Sequence, residues 1–328
     1  MKVLVTGANG LLGSNLVRKL LREKYEVRAL VRESSNLLSL NGVKADYFKG
    51  SITNAEDLGK AVQDVQVVVH AAANTSQYAT DFQHFYPTNV EATKNLLEES
   101  QKAGVKRFIY VSSANAFGLG TLNELADETS PFDDTAVTSG YAQSKHEAQK
   151  LALDFGQQHE LSVVVVNPSF MLGKYDAKPS SGQILQLAYG SRWQFSPRGG
   201  KNFIHVEDVA EGITQAIGKG KSGHCYLLGN ENLSYDQFFQ KMQKVCGYPK
   251  KIVKMPKTAL SVVGQVGGII EKATGQPVRL DPTNARLLNA NNFYSPAKAI
   301  RELQLPQTPI ETAIGDALDW FKENGYLS

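Results

Sequence analysis

The sequence predicts an α/β fold, a doubly wound parallel sheet with a smaller, discontinuous C-terminal part. Two observations support this prediction. Strand-like and helix-like segments alternate regularly through the first half of the chain. In addition, a short apolar run ends at Gly7, and Gly10 and Gly13 then lead into an amphipathic helix pattern. Strand, glycine turn and helix in this order place a pyrophosphate at a helix N-terminus, which makes the predicted sheet Rossmann-type.

Apolar patterns predict the elements one by one. The runs at 66–70 and 162–166 are almost continuously apolar, which is typical of strands buried on both faces of a parallel sheet. Further strands are predicted at 2–6, 26–31, 45–48, 107–112 and 224–228, helices at 11–23, 55–63, 88–103, 141–158, 234–246 and 310–323, and a short strand followed by a helix at 203–218.

The pattern loosens after residue 167, where proline and glycine cluster as far as residue 202. The stretch 249–309 holds most of the remaining prolines and predicts shorter elements. We therefore expect two parts of different function. Residues 1–166 and 203–229 are expected to form a dinucleotide-binding domain, and residues 167–202 and 230–328 a substrate-binding part.

Composition and charge give no support for several classes of partner. The 328 residues are 42% apolar and 20% charged, as in an ordinary globular protein. The net charge of +3 is too small to favour a nucleic-acid or membrane partner, and no apolar run reaches the ~18 residues of a membrane span. Cys225 and Cys246 form no disulfide framework and have no neighbouring metal ligands, so no metal is expected. Free thiols and the lack of an export signal favour a cytoplasmic location.

The glycine loop is the first candidate binding site. Backbone N–H groups at the start of a helix, together with the positive end of its dipole, meet the charge of a phosphate. Glycine permits both the tight turn and the close approach of the backbone to the phosphates. The candidate cofactor-binding residues of this loop are Thr6, Gly7, Asn9, Gly10, Leu11, Leu12 and Gly13.

Tyr141 and Lys145 form the second candidate site. Residues four apart lie on one face of a helix. An ammonium beside a phenol stabilises the phenolate and lowers the pKa of tyrosine from about 10, which makes it a proton donor and acceptor near neutrality. The alternative is a surface Tyr–Lys pair on an amphipathic helix, because Y-x-x-x-K is common by chance.

Two hydroxyls, Ser112 and Ser113, stand at the end of the strand predicted at 107–112. Ligands of parallel sheets bind at the carboxyl ends of the strands, so a serine here can donate a hydrogen bond to a substrate carbonyl oxygen. The alternative role is to cap the next segment, which we expect of Ser112 in particular.

Together these motifs resemble the extended short-chain dehydrogenases/reductases, which include nucleotide-sugar epimerases, dehydratases and dihydroflavonol reductase-like enzymes. The T-G-x-x-G-x-x-G run at 6–13 is similar to the glycine loop of that group, and 141–145 to its Y-x-x-x-K motif. Further stretches similar to the group's motifs follow in the same order along most of the chain, at 69–73, 89–96, 112–114 and 203–210.

The resemblance implies a catalytic set of Ser113, Tyr141 and Lys145. Tyr141 would be the acid/base, Lys145 would lower the pKa of Tyr141 and hold the nicotinamide ribose, and Ser113 would polarise the substrate carbonyl. His70 and His205 are expected to be structural. Beyond the glycine loop, the implied cofactor contacts are Arg32, Ser51, Ile52, Ala71, Ala72, Ala73, Tyr141, Lys145, Pro168 and Ser169.

Arg32 bears on the choice of cofactor. Rossmann proteins that bind NAD usually carry an acid after the second strand, where it bonds the ribose hydroxyls. Arg32 stands at that position here, and a guanidinium suits a 2′-phosphate through bidentate bonds. The sequence therefore favours NADP. NAD remains the alternative because Glu33 is adjacent, and Arg28 and Arg32 could also be plain solvated charges.

Two departures from the group's pattern bear on cofactor and substrate. Ser51 stands where the group commonly has an acid near the adenine, so that contact would pass to the backbone of Ser51 and Ile52. Lys201-Asn202 stands where many sugar epimerases have Arg-Asp, with the arginine on the substrate phosphates. A lysine cannot reproduce a bidentate clamp, which disfavours a nucleotide sugar. Surface arginines at 192 and 198 could still serve.

The leading hypothesis is an NADP-dependent oxidoreductase that reduces a ketone or aldehyde of a small molecule, or oxidises the alcohol. The alternatives are a nucleotide-sugar epimerase or dehydratase with retained NAD(P), and a non-catalytic NADP-binding sensor. The helices at 88–103 and 141–158 resemble the pair that builds a dimer interface in this group, which implies a homodimer. An apolar substrate pocket is expected from Tyr78, Phe82, Phe85, Phe117, Phe170 and Met171.

Overall fold

Strands and helices alternate along the chain. The computed structural model describes residues 1–76, 81–132, 139–274, 278 and 280–327. Within these residues the strands are β1 (Lys2–Thr6), β2 (Glu26–Val31), β3 (Asp46–Lys49), β4 (Val67–His70), β5 (Arg107–Val111), β6 (Ser162–Pro168), β7 (Phe170–Leu172), β8 (Trp193–Ser196), β9 (Gly200–His205), β10 (Cys225–Leu228), β11 (Glu231–Ser234), β12 (Lys251–Lys254) and β13 (Asn291–Asn292).

The helices of the same residues cover both faces of the sheet and build much of the C-terminal part. They are α1 (Leu11–Arg22), α2 (Ala55–Ala61), α3 (Phe82–Tyr86), α4 (Ala92–Lys102), α5 (Gly140–Gln158), α6 (Gln183–Tyr189), α7 (Val206–Lys219), α8 (Tyr235–Cys246), α9 (Lys257–Thr274), α10 (Pro282–Asn289), α11 (Ala297–Leu303) and α12 (Ile310–Glu323).

Seven parallel strands form the central sheet, in the order β10-β6-β5-β4-β1-β2-β3. The chain moves outward from β1 to β3, then returns to the other side of β1 with β4. The carboxyl ends of β1 and β4 therefore flank the point where the strand order reverses, which is where doubly wound sheets bind their ligands. The predicted fold class is confirmed.

The apolar strands owe their pattern to burial on both faces of the sheet. Val164 and Val166 of β6 pack with α1 and α7 on one face, and Val163 and Val165 pack with α4 and α5 on the other. All four side chains are fully buried. Because successive side chains of a strand point to opposite faces, a strand covered on both sides has no polar positions in its interior.

A smaller assembly follows the loosening of the sequence pattern. β9 pairs with β7, β11 and β13, and β8 pairs with β12. α8 and α12 pack beside these strands around a separate apolar cluster, in which the rings of Phe203 and Phe238 stack with centroids 4.5 Å apart.

Two segments differ from the sequence prediction. The stretch 249–309 contains α9, a helix of 18 residues, where only shorter elements are predicted. Most of its apolar residues lie on the side that faces solvent, and glycines on the opposite side interrupt the pattern. The helix predicted at 88–103 is longer and irregular, because α3 precedes it and a π-helical turn over Pro87–Glu91 joins α3 to α4. Across the described residues, no helix is both long and apolar enough to cross a membrane.

Candidate active site

The glycine loop between β1 and α1 forms a narrow cradle. Gly7 has a φ of +68°, a region that favours glycine. A Cβ on Gly7 would lie 2.8 Å from the Cα of Ala72, and a Cβ on Gly13 would lie 2.1 Å from the carbonyl oxygen of Gly7. In the described part of the chain, no side chain caps the start of α1 at Leu11 and its first turn has no acid. Free N–H groups in a cradle that side chains would fill fit a dinucleotide pyrophosphate.

Asn9 ties this loop to the segment that follows β2. Its side-chain amide donates to the carbonyl oxygen of Asn36 at 3.2 Å, and its own carbonyl accepts from the hydroxyl of Ser39 at 2.8 Å. Leu11 and Leu12 pack into the core beneath the loop. The hydrogen bonds of Asn9 and the packing of the two leucines therefore hold the glycine loop in its shape.

A chain of hydrogen bonds runs through His70 at the end of β4. The hydroxyl of Thr93 donates to the carbonyl of Asn89 at 2.7 Å, so it accepts from Nε2 of His70 at 3.0 Å. Nδ1 then accepts from the hydroxyl of Thr6 at 2.7 Å, which in turn accepts from the N–H of Ala72 at 3.1 Å. Burial lowers the pKa of His70 to about 3. The neutral ring thus joins β1, β4 and α4, as expected of a structural histidine.

Ser113 and Tyr141 meet at the carboxyl end of β5. Burial raises the pKa of Tyr141 to about 12, and the nearby hydroxyl of Ser113 has a smaller effect that lowers it. The ring of Tyr141 packs edge-on against the buried Phe85, with centroids 6.0 Å apart. The two hydroxyls therefore stand together, and Tyr141 is protonated at neutral pH.

Lys145 is placed differently from the sequence prediction. Its Nζ donates to the carbonyl oxygen of Val111 at 2.7 Å and to the hydroxyl of Tyr110 at 3.4 Å. Burial lowers the pKa of Lys145 to about 7. The expectation that Lys145 lowers the pKa of Tyr141 is wrong for this structure, because the ammonium is directed to the end of β5 and burial dominates the pKa of Tyr141.

The capping role expected of Ser112 belongs to Ser113. The hydroxyl of Ser113, not that of Ser112, caps the short helical turn after β5 by accepting from the N–H of Asn115 at 3.2 Å. The hydroxyl of Ser112 points the other way and donates to the carbonyl of Lys145 at 3.4 Å. The expectation that Ser112 is the capping serine is therefore wrong. Ser113 both caps this turn and contacts Tyr141.

Asn89 is a connecting residue that is not among the predicted site residues. Its amide nitrogen donates to the hydroxyl of Ser144 at 2.9 Å and to the carbonyl of Asn74 at 3.1 Å. Its amide oxygen accepts from the N–H of Asn74 at 2.7 Å. Asn89 thus joins the loop after β4 to α5, the helix that carries Tyr141. The similarity of 89–96 to a family motif was the available signal.

Arg32 is exposed just beyond the end of β2. Its neighbour Glu33 pairs with Lys49 at the end of β3, at 2.8 Å. Arg28 lies within β2, where it binds Asp46 at 2.8 Å and the carbonyls of residues 61 and 63. Of the two arginines, Arg32 is the one at the ligand-binding edge, and the solvated alternative does not hold for Arg28.

The other predicted cofactor residues surround the same edge of the sheet. Ala71, Ala72 and Ala73 follow β4, and Ala72 abuts Gly7. The N–H of Ser51 is bonded to the carboxylate of Asp57 at 2.8 Å, so this backbone donor already has a partner, while Ile52 packs on the core. Pro168 and Ser169 end β6, and the hydroxyl of Ser169 is buried without a partner among the described residues.

A small cavity of about 20 Å³ is lined by Ser139 and Ala142, which stand on either side of Tyr141 in the sequence. Phe117 is the one predicted pocket aromatic among its lining residues. Phe85 and Phe170 pack into the protein interior instead, and Tyr78 lies outside the described residues. Asn292 is 3% exposed, and both polar atoms of its amide lack a partner within the described chain. The lining residues are Asn115, Phe117, Gly118, Leu119, Phe132, Ser139, Ala142, Leu287 and Asn292.

The candidate phosphate-binding residues of a nucleotide-sugar site do not come together. Nζ of Lys201 lies 5.5 Å from the ring centroid of Phe170, and burial lowers the pKa of Lys201 to about 8. Asn202 is buried, and its amide donates to the side chain of Asn232 at 2.8 Å. His205 caps α7 through the N–H of Glu207 at 3.0 Å. These residues hold β9 in place.

Comparison with known proteins agrees with this geometry. Residues 3–229 match the sequence model of the NAD dependent epimerase/dehydratase family. A protein from Synechocystis sp. named "Putative dihydroflavonol 4-reductase" is 34% identical over 98% of this chain and 95% of its own length. "Sterol demethylase protein B" from Methylococcus capsulatus is 31% identical over 100% of both chains.

Solved structures share the whole architecture. The crystal structure of gox2253 has a TM-score of 0.87 and 32% identity, with 99% of both chains covered. A UDP-glucose 4-epimerase from Thermotoga maritima has the same fold, with a TM-score of 0.79 and 21% identity over 99% of both chains. The sequence model covers well over half of the chain and the identities extend along nearly its full length. The chain therefore belongs to the NAD-dependent epimerase/dehydratase family of extended short-chain dehydrogenases/reductases and is an NAD(P)-dependent enzyme.

Proposed function

We propose that the protein is an NADPH-dependent oxidoreductase that reduces a ketone or aldehyde of a small, largely apolar molecule, or oxidises the corresponding alcohol. The observation that carries this proposal is that Ser113 and Tyr141 lie together at the carboxyl end of β5, where the hydroxyl of Ser113 lowers the pKa of Tyr141. Both hydroxyls lie at the edge of the sheet formed by the carboxyl ends of the strands, where β1 ends and the glycine loop begins. A substrate carbonyl oxygen that accepts hydrogen bonds from both hydroxyls would be polarised by Ser113 and protonated by Tyr141.

The residues divide the chemistry as follows. The bound dinucleotide would supply the hydride. Tyr141, with a pKa of about 12, holds the proton that the carbonyl oxygen takes when it becomes an alcohol. Ser113 donates a hydrogen bond to the same oxygen, where negative charge develops. Lys145 would hold the nicotinamide ribose, with its Nζ fixed at the end of β5 by the carbonyl oxygen of Val111.

Arg32 supports the preference for NADP within this proposal. Its side chain is exposed at the end of β2, next to the pocket in which an adenosine ribose would lie. Because Glu33 is paired with Lys49, the acid that could bond ribose hydroxyls has another partner. A guanidinium that forms bidentate bonds to a 2′-phosphate explains this arrangement.

An apolar substrate is supported by the walls of the small cavity. Phe117, Leu119, Phe132 and Leu287 supply apolar surface, and Asn292 supplies an amide that has no partner among the described residues. Relatives of this chain are named for dihydroflavonol, sterol and steroid chemistry. We therefore propose a carbonyl compound with fused or linked rings, in which a second polar group would meet Asn292.

The nucleotide-sugar alternative has less support. It needs a bidentate donor for the substrate phosphates, and the position that would supply it holds Lys201, which lies over the ring of Phe170. Lysine binds phosphate as a point charge rather than a fork. Arg192 and Arg198 are exposed on the surface.

The balance of NADPH tests this function. Purified protein would be mixed with NADPH and a panel of dihydroflavonols, ketosteroids and aliphatic ketones, and the absorbance of NADPH followed. We expect one NADPH to be consumed for each alcohol formed. Interconversion of a nucleotide sugar by a cofactor that stays bound, without net consumption, would favour the epimerase. Tight NADPH binding with no turnover of any compound would favour the sensor.

Three further expectations belong to the same proposal. Residues 1–166 with 203–229 would bind the dinucleotide, while 167–202 with 230–328 would select the substrate. A homodimer would form through α4 and α5. The enzyme would act in the cytoplasm, where NADPH is available.

A further inference from the structure

An apolar stripe on α9 faces solvent. It consists of Val262, Val263, Val266, Ile269 and Ile270, whose side chains are between 47% and 67% exposed. Their spacing of three, four and seven residues places them on one side of the helix. No charged residue occurs from position 258 to position 270. We call these five residues the α9 stripe.

The opposite side of α9 packs against α10 through glycines. A Cβ on Gly264 would lie 2.7 Å from the Cβ of Ala285, and a Cβ on Gly267 would lie 2.0 Å from the carbonyl oxygen of Leu280. The helix is therefore held to the protein by its glycine side. Packing on α10 makes no use of the α9 stripe, and a surface helix normally carries polar residues there.

Two further exposed apolar residues lie on β8, which pairs with β12, the strand that precedes α9 in the chain. Trp193 and Phe195 of β8 are 48% and 59% exposed. They stand opposite Lys251 and Val253 of β12 in the strand register. Nζ of Lys251 lies 4.8 Å from the ring centroid of Trp193. β12 ends at Lys254 and α9 begins at Lys257, so two residues separate this strand pair from the helix along the chain.

The segment that includes β12 and leads to the start of α9 is positively charged. Residues 250–257 contain four lysines and no acid. Lys254 has Asp236 at 3.4 Å, and Glu271 is the acid at the far end of α9. Lys250 is turned inward to the carbonyl of Ala188. Lys251 and Lys257 remain at the edge of the surface, in addition to Lys254.

We propose that the α9 stripe, with Trp193 and Phe195, docks on the surface of a phospholipid bilayer that carries anionic headgroups. The aliphatic side chains would enter the boundary between headgroups and acyl chains, and the bordering lysines would meet the phosphates. A tryptophan beside a lysine suits that boundary, because the ring is apolar and its edge is polar. Lysine is depleted at protein interfaces, which favours a bilayer over a second protein. The helix lies along the surface and does not span it.

Vesicle sedimentation tests this proposal with the full chain. Vesicles of phosphatidylcholine alone would be compared with vesicles that also contain phosphatidylglycerol. We expect the protein to sediment with the mixed vesicles and to be released by salt. Ile269→Glu should weaken binding by about tenfold or more, since it places a charge at the apolar boundary. Leu122→Glu is the matched control, because Leu122 is 66% exposed outside this surface, and it should bind as the wild type does.

The proposal is overturned if the wild type stays in the supernatant with both kinds of vesicle, or if Ile269→Glu sediments as the wild type does. Light scattering supplies the competing outcome: a wild-type dimer that Ile269→Glu turns into a monomer, without vesicle binding, would assign the surface to a second copy. Circular dichroism checks that the variant is folded. If it is not, Val262→Glu on the same stripe replaces it, with the same expected loss of binding.

Discussion

Nζ of Lys145 donates to the carbonyl oxygen of Val111 at 2.7 Å, which anchors the ammonium to the end of β5. The same nitrogen lies 4.9 Å from the ring centroid of Tyr110. Tyr141, one helical turn before Lys145, instead contacts Ser113. The site therefore combines a protonated Tyr–Ser pair with a cation held in surroundings of low dielectric.

Replacing Lys145 should reveal what burying its charge costs. Its pKa is about 7 in the folded protein and about 10.5 when unfolded. Because the folded pKa is the lower one, the cost is full below pH 7 and is relieved as the pH rises toward 10.5. Lys145→Met should therefore stabilise the ligand-free protein below pH 7, by up to about 4 kcal/mol. The lost bond to Val111 offsets about 1 kcal/mol of this gain.

Urea unfolding of wild type and Lys145→Met on both sides of pH 7 measures this effect. The advantage of the variant should shrink steadily toward pH 10.5. A stability difference that does not change with pH would mean that Lys145 is not held as a buried cation.

The paired serines offer a matched comparison. Ser113→Ala removes the hydroxyl that contacts Tyr141 and should lower kcat about a hundredfold, as loss of an oxyanion donor does. Ser112→Ala removes a hydroxyl that donates to the carbonyl of Lys145 and should keep kcat within about threefold, since this bond is neutral and long. Steady-state kinetics on both variants measures these changes in kcat. A larger loss of kcat in Ser112→Ala than in Ser113→Ala would assign the carbonyl-polarising role to Ser112 instead.

Gly13→Ala should abolish cofactor binding. Its Cβ would lie 2.1 Å from the carbonyl oxygen of Gly7, so the loop must open and the protein should lose roughly 1–3 kcal/mol of stability. Gly218→Ala, in α7, meets nothing within 4 Å and should gain about 0.5–1 kcal/mol. Thermal melts and NADPH titration by fluorescence measure both. Wild-type NADPH affinity in Gly13→Ala would contradict the assignment of the cradle.

Arg32→Ala should reduce the preference for NADPH over NADH. A charge-assisted bond to phosphate contributes about 1.5–3 kcal/mol, so the ratio of kcat/KM for the two cofactors should fall at least about tenfold. Arg22→Ala at the far end of α1 should leave the ratio unchanged. An unchanged ratio in Arg32→Ala would remove the argument for NADP.

The sequence predicted the central sheet well because its signals are local. Buried strands such as β6 read as apolar runs, and the glycine loop has a fixed spacing. The contacts of Ser112 and Ser113 could not be predicted from the sequence. Successive side chains of a strand point to opposite faces, so the direction of each serine depends on the exact residue at which β5 ends. The direction of Lys145 depends on Val111 in a neighbouring strand. Asn89 joins Asn74 to Ser144 only through the tertiary fold.

α9 was missed for a different reason. Its glycines weaken a helical pattern, and only the presence of α10 explains them, because Gly264 and Gly267 let the two helices approach closely. A helix whose apolar side faces solvent and whose glycine side packs inward also departs from the usual amphipathic pattern. The sequence alone therefore predicted short elements in that region.

Turnover by Tyr141→Phe tests the central claim most directly. The phenyl ring keeps the packing on Phe85 and removes the hydroxyl, so NADPH affinity and melting temperature should stay at wild-type values. Single-turnover oxidation of bound NADPH by a reducible ketone should slow by about 10²–10⁴-fold, the contribution of a positioned general acid. Tyr189→Phe, in α6, should react as the wild type does. Near-normal turnover by Tyr141→Phe would contradict the assignment of Tyr141 as the proton donor.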